Sequence, residues 1–103
     1  MSQEVNKTIY LNIKDLVYKR EQMVVDLIRY LTEQLPQIQL TRTGNEVELI
    51  MPIKLSKRAI RLRIRKFLYK KGLNEDFRPI SFKNPEKEGY TVKEKKYLSM
   101  QYY

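Results

Sequence analysis

Hydrophobic positions alternate in some parts of the chain and recur every three to four residues in others. In "TIYLNIKD", residues 8–15, Ile9, Leu11 and Ile13 share one side, and Tyr10, Asn12 and Lys14 the other. That is the period-two pattern of a half-buried strand. Met23, Val24, Leu27, Ile28, Leu31 and Leu35 recur at helical spacing, which predicts an amphipathic helix over about residues 19–35, stopped by Pro36. Ile38 and Leu40 alternate before Gly44-Asn45, and Val47, Leu49 and Met51 alternate after it. The dipeptide supplies the positive-φ chemistry of a tight hairpin turn. Pro52 gives no N–H to a ladder, so it belongs at a strand end or on an edge.

The segment "KLSKRAIRLRIRKFLYKKG", residues 54–72, admits two periods. "RLRIR" alternates and alone reads as a strand. In the longer window Ile60, Ile64, Phe67 and Leu68 fall at helical spacing, Ser56 suits an N-cap, and Gly72 stands where a C-cap glycine belongs. A helix is therefore predicted over about residues 57–71. Beyond it come two strands around an Asn84 to Gly89 turn, one with Ile80 and Phe82, the other with Tyr90 and Val92. The order strand, helix, hairpin, helix, hairpin predicts a small α+β domain over residues 8–98. Two helices pack on a mostly antiparallel sheet, between a flexible N-terminus (1–7) and a C-terminal tail (99–103).

Composition narrows the function. A chain of 103 residues, 42% hydrophobic and 32% charged, fits one globular domain with a thin core. "MSQEVNKTIY" has no apolar centre of the signal-peptide kind and no run is long enough to cross a bilayer, so a cytoplasmic location is expected. Cysteine and histidine are both absent. This excludes disulfides, a thiolate nucleophile and zinc-finger ligation, and it removes the commonest general base at neutral pH. No catalytic residues, metal, cofactor or small-molecule substrate are expected, and the protein is not expected to be an enzyme.

Charge changes the picture most. The net charge is +9, from 21 basic and 12 acidic residues. Lys54, Lys57, Arg58, Arg61, Arg63, Arg65, Lys66, Lys70 and Lys71 lie in the one segment, and no carboxylate occurs between Glu48 and Glu75. The other basic residues balance the acidic ones, so the entire excess is local, as in an electrostatic footprint for a polyanion. At about 100° per residue, Arg58, Arg61 and Arg65 fall on one flank of this helix, and Arg63, Lys66 and Lys70 on the other. Tyr69 and Leu62 point away from the core between them. Guanidinium forks suit phosphate oxygens, an aromatic ring suits an unpaired base or a sugar, and the N-terminus at Ser56-Lys57-Arg58 adds backbone donors. Ordinary solvated helix faces interleave glutamate at four-residue spacing, which this one does not. The outward face lacks the continuous apolar stripe of a membrane-lying helix, so no membrane partner is expected. An acidic protein remains the other candidate partner.

The stretch "LSKRAIRLRIRKFLYKKGLNEDFRPISF" resembles the core of the eukaryotic-type large-subunit ribosomal protein twenty-two (L-twenty-two-e) family. The shared features are the Ser56-Lys57-Arg58 helix start, a basic-aromatic helix closed by Lys70-Lys71, and Leu73 leading into the next strand. The hairpin "IQLTRTGNEVELIMPI" matches in pattern and length, and the likeness extends over residues 8–97 in element order. The glycine-rich stretch common after the first helix, a longer connection before that helix, and an acidic tail are not matched, which suits a compact relative of archaeal or otherwise reduced type. The resemblance implies a large-subunit ribosomal protein that grips structured ribosomal RNA, among neighbouring ribosomal proteins, through Lys57, Arg58, Arg61, Arg65, Lys66, Lys70 and Lys71. Lys54, Arg63 and Tyr69 join these on charge and placement. The alternative is a free nucleic-acid-binding module, chromatin-like or regulatory, acting on RNA hairpins or duplex DNA.

Other constellations have plainer explanations. Glu46 and Glu48 share a side because a strand alternates, and Glu75-Asp76 reads as a polar turn beside Arg78. Asn6-Lys7-Thr8 matches a glycosylation sequon, which means little without a secretion signal. Tyr97, Tyr102 and Tyr103 suit base stacking and the capping of a sheet edge equally. The chain's 3 glycines are isolated and build no phosphate loop.

Overall fold

The computed structural model describes residues 6–95. In chain order the elements are β1 (Asn6–Asn12), α1 (Lys14–Lys19), α2 (Glu21–Gln34), β2 (Gln39–Thr43), β3 (Glu46–Pro52), α3 (Lys57–Lys70), β4 (Phe77–Lys83) and β5 (Glu88–Glu94). The strands form one sheet in the order β2-β3-β1-β5-β4. Three of its pairings are antiparallel, and β1 with β5 is parallel. This is a small α+β domain with a mixed sheet and helices packed against it.

Alternation decides which face the helices cover. Ile9 opposes Leu49, Leu11 opposes Val47 and Tyr90, and all five side chains are buried. Val92 and Phe77 extend the same apolar layer, while Val24, Leu27 and Leu31 of α2 and Ile60, Ile64, Phe67 and Leu68 of α3 meet it from the other side. No polar or charged residue is buried among the described residues. Each of these large side chains contributes about 1.5–3 kcal/mol on burial. The opposite sheet face carries Tyr10, Glu46, Glu48, Ile50, Thr91, Ile80 and Phe82, all at least partly open to solvent.

Several expected boundaries move. Asn6 and Lys7, expected in the flexible N-terminus, pair with Pro52 and Met51. The first strand stops at Asn12, whose side-chain carbonyl accepts the Lys14 N–H at 3.0 Å and turns the chain into α1. The single helix expected from residue 19 is two, because Arg20 is extended at φ −171°, ψ 120°. Leu16, fully buried, pins the short helix to the core. The hairpin turn has positive φ at Gly44 alone (62°), as in a type II′ turn. Residues 1–5 and Tyr97, Tyr102 and Tyr103 lie outside the described residues.

The last hairpin differs in two respects. Asn84 closes its turn by accepting the N–H groups of Glu86 and Lys87 at 3.0 and 2.8 Å. Gly89, expected in the turn, is instead in β5 and directly opposite Tyr10. A Cβ there would lie 1.7 Å from the Tyr10 carbonyl oxygen, so only glycine lets β1 and β5 approach. The inward face of β4 begins at Phe77 and continues through Pro79, while Ile80 and Phe82 face away from the helices. Pro79 is tolerated because β4 is an edge strand.

Replacing Gly89 by alanine should force the parallel pair apart. Gly89→Ala is expected to destabilise the fold by about 3 kcal/mol, the upper part of the range for overpacking, in urea denaturation. A loss below about 0.5 kcal/mol, the scatter of ordinary surface substitutions, would show that this contact does not set the strand spacing.

Candidate nucleic-acid interface

The two ends of α3 are fixed by local chemistry. The Ser56 hydroxyl accepts the Arg58 N–H at 3.0 Å. At the other end Gly72 takes φ 74°, its N–H bonds the Tyr69 carbonyl at 3.1 Å, and the Leu73 N–H bonds the Leu68 carbonyl at 2.7 Å. That pair of bonds is a Schellman motif, and it makes Gly72 the C′ residue. Between the caps, burial of Ile60, Ile64, Phe67 and Leu68 leaves the helix no rotational freedom, so the remaining positions are sent outward.

The expected binding residues separate into two groups. Lys57 and Lys71 lie near the apolar arc and turn inward at opposite ends. The Lys57 ammonium is 3.5 Å from Glu88 and 5.3 Å from the centre of the Tyr90 ring, and its carbonyl accepts the Tyr90 hydroxyl at 3.2 Å. Burial pushes the Tyr90 phenol above its ordinary range, against the opposing pull of Arg61 and Arg58. Lys71 reaches Asp26 of α2 at 3.3 Å. Arg63 donates to the Gln34 side-chain carbonyl at 3.1 Å, tying α3 to α2 without neutralising its charge. Tyr30 and Phe67 rings, 5.5 Å apart, fill the same seam.

Arg58, Arg61, Arg65 and Lys66 are exposed, as is Lys54 in the turn before the helix, and no ion pair engages them among the described residues. Lys70 has only the Tyr30 ring, 5.9 Å away. Tyr69 is 74% exposed and Leu62 48% exposed between the two flanks. Both flanks border one open groove of about 1310 Å3. Lys66 and Lys70 face Tyr30 and Gln34 on the α2 side, and Arg61 and Arg65 face β4 on the other.

Sequence reasoning passed over Arg78 and Lys95, which also line the groove. The Lys95 ammonium donates to the Asn74 carbonyl at 2.9 Å and so ties the end of β5 to the loop after α3. Arg78 borders the groove only along the edge strand, because alternation between Phe77 and Pro79 turns its side chain to the face of Lys93.

Glu46, Glu48 and Glu21 are occupied away from α3. Glu46 accepts the Lys87 ammonium through both oxygens at 3.0 Å, which raises the Lys87 pKa, and Glu48 accepts the Tyr10 hydroxyl at 3.5 Å. Glu21 pairs with Arg42, whose hydrogen bond holds the carboxyl below its ordinary range. Among the described residues no group of three or more His, Cys, Asp or Glu side chains is placed to hold a metal ion. No described helix is long and apolar enough to cross a membrane. No family model matches the chain. No curated protein matches it either.

The tie at the C-terminal end of α3 titrates. The Gln22 amide, and after it Lys71, hold the Asp26 carboxyl below its usual 3.8. A depressed carboxylate adds stability above its unfolded-state pKa and loses it as pH falls through the folded value. Asp26→Asn should therefore melt below the wild type at neutral pH, with the gap closing as pH drops below 3.8. A gap that persists in acid would mean that Asp26 acts by something other than its charge.

Proposed function

We propose that this protein binds structured RNA through the outward face of α3, as a structural constituent of the large ribosomal subunit. The observation that carries the proposal is the set of exposed cations at Arg58, Arg61, Arg65, Lys66 and Lys70, unmatched by any carboxylate on the same helix. Phosphates are the natural counter-charge, because docking them releases condensed counterions and relieves the repulsion along the helix. Rigid display supports this reading. Both helix caps are satisfied, and the core and α2 hold the inward face, so the cations are presented in a fixed register rather than on a mobile tail.

The ribosomal assignment rests on the resemblance of residues 55–82 to the L-twenty-two-e family, and ribosomal RNA with neighbouring ribosomal proteins are the partners that follow from it. Lys57 and Lys71 take a different part in this account from the one the resemblance implies. With Glu88 and Asp26 as partners, they fix the ends of the helix, while the cations between them meet phosphate.

The salt dependence of binding tests the interface directly. On an RNA hairpin, Arg65→Glu and Lys66→Glu should each weaken binding. Each lost phosphate contact should lower the slope of log affinity against log salt by about 0.7–0.9. Lys93→Glu, on the opposite sheet face, should leave the slope nearly unchanged. The reverse pattern would place the RNA on the sheet. Binding random duplex DNA as tightly as the hairpin would favour a free nucleic-acid-binding module over a ribosomal subunit, and co-sedimentation with large subunits through a salt wash separates the same two cases.

A further inference from the structure

Phosphates along a paired stem need cations on a convex surface, and neither an aromatic ring nor a hollow. The outer side of α3 has both. Where α3 passes the edge strand β4, the groove has Arg61 and Arg65 on its α3 wall, Pro79 and Ser81 of β4 opposite them, and Tyr69 exposed at its rim. Tyr69 stands one helical turn after Arg65 and three residues after Lys66, so guanidinium and ammonium groups flank its ring on either side. An acidic peptide would satisfy the arginines and leave the ring idle. A nucleotide uses both, because every base has a π-face to stack on an aromatic side chain and carries its own phosphate.

Building on the RNA reading above, we propose that the cleft between α3 and β4 receives one unpaired nucleotide of the bound RNA. Its base stacks on Tyr69 and its phosphate is held by Arg61 and Arg65. The protein then prefers stems interrupted by a bulge or loop to continuous duplex, and it does so without a strong preference for base identity, since stacking reads the ring and not its edge.

Two RNA stems of equal length test this, one fully paired and one carrying a single bulged 2-aminopurine. The wild type is expected to bind the bulged stem about tenfold more tightly, within the range for one base stacked on an aromatic side chain, and to quench the 2-aminopurine fluorescence. Tyr69→Ala should abolish both the preference and the quenching, and Tyr69→Phe should keep them. Equal affinity of the wild type for the two stems, or a preference that survives Tyr69→Ala, would overturn the assignment. If Arg65→Glu still weakened both stems, the RNA interface would stand and only the nucleotide cleft would fall. Failure to bind either stem would remove both. A glutamate-rich peptide that displaced the bulged stem and lost its own binding with Tyr69→Ala would likewise overturn the nucleotide in favour of an acidic protein ligand.

Discussion

Burial of one arc of α3 is the constraint on which the rest depends. Ile60, Ile64, Phe67 and Leu68 are essentially inaccessible to water, and each contributes about 1.5–3 kcal/mol. Opposing them is repulsion between like charges at three- and four-residue spacing: Lys57 with Arg61, Arg58 with Arg61, Arg61 with Arg65, Arg63 with Lys66, and Lys66 with Lys70. Such pairs cost about 0.2–0.5 kcal/mol each on an exposed helix. The apolar term is several times larger, so the helix forms with its charge uncompensated. Because that term also fixes the helix rotation, the fold aims the cations without any contact to a ligand.

The sheet supplies the platform for that burial. Central β1 joins β3 on one side and β5 on the other, and the close approach at Gly89 brings Tyr90 beneath the N-terminus of α3. Tyr90 then meets Lys57 by hydrogen bond and ring contact, and Glu88 next to it takes the Lys57 charge. Asp26 does the corresponding work for Lys71 at the far end. Cations at the ends of the helix thus serve the fold, and Arg58, Arg61, Arg65 and Lys66 between them stay exposed with no ion pair among the described residues.

Local pattern revealed much of this. The helical spacing of Ile60, Ile64, Phe67 and Leu68, with Ser56 and Gly72 at the ends, outweighed the alternation of "RLRIR", and the structure has that helix with those caps. The β2–β3 hairpin was equally legible from alternation around Gly44. What escaped was set by distant partners. The break at Arg20 depends on Leu16 entering the core and on Asp15 accepting the Glu94 N–H, neither of which has a local signature. Gly89 looked like a turn residue because the parallel pairing that requires a glycine there joins strands far apart in sequence. The inward turn of Lys57 and Lys71 was implicit in their angular positions, but only the fold supplies Glu88 and Asp26. The edge of β4 reached the groove through the crossover from β3 to β4, which periodicity does not describe.

Photo-crosslinking of the RNA-bound protein, with the attachment sites mapped by mass spectrometry, tests the central claim most directly, because it reports contact and not affinity. The account predicts adducts at Tyr69 and at Lys66 and Lys70, with Tyr10 and Lys93 on the open sheet face left unmodified. Adducts concentrated at Tyr10 and Lys93, with Tyr69 untouched, would contradict it.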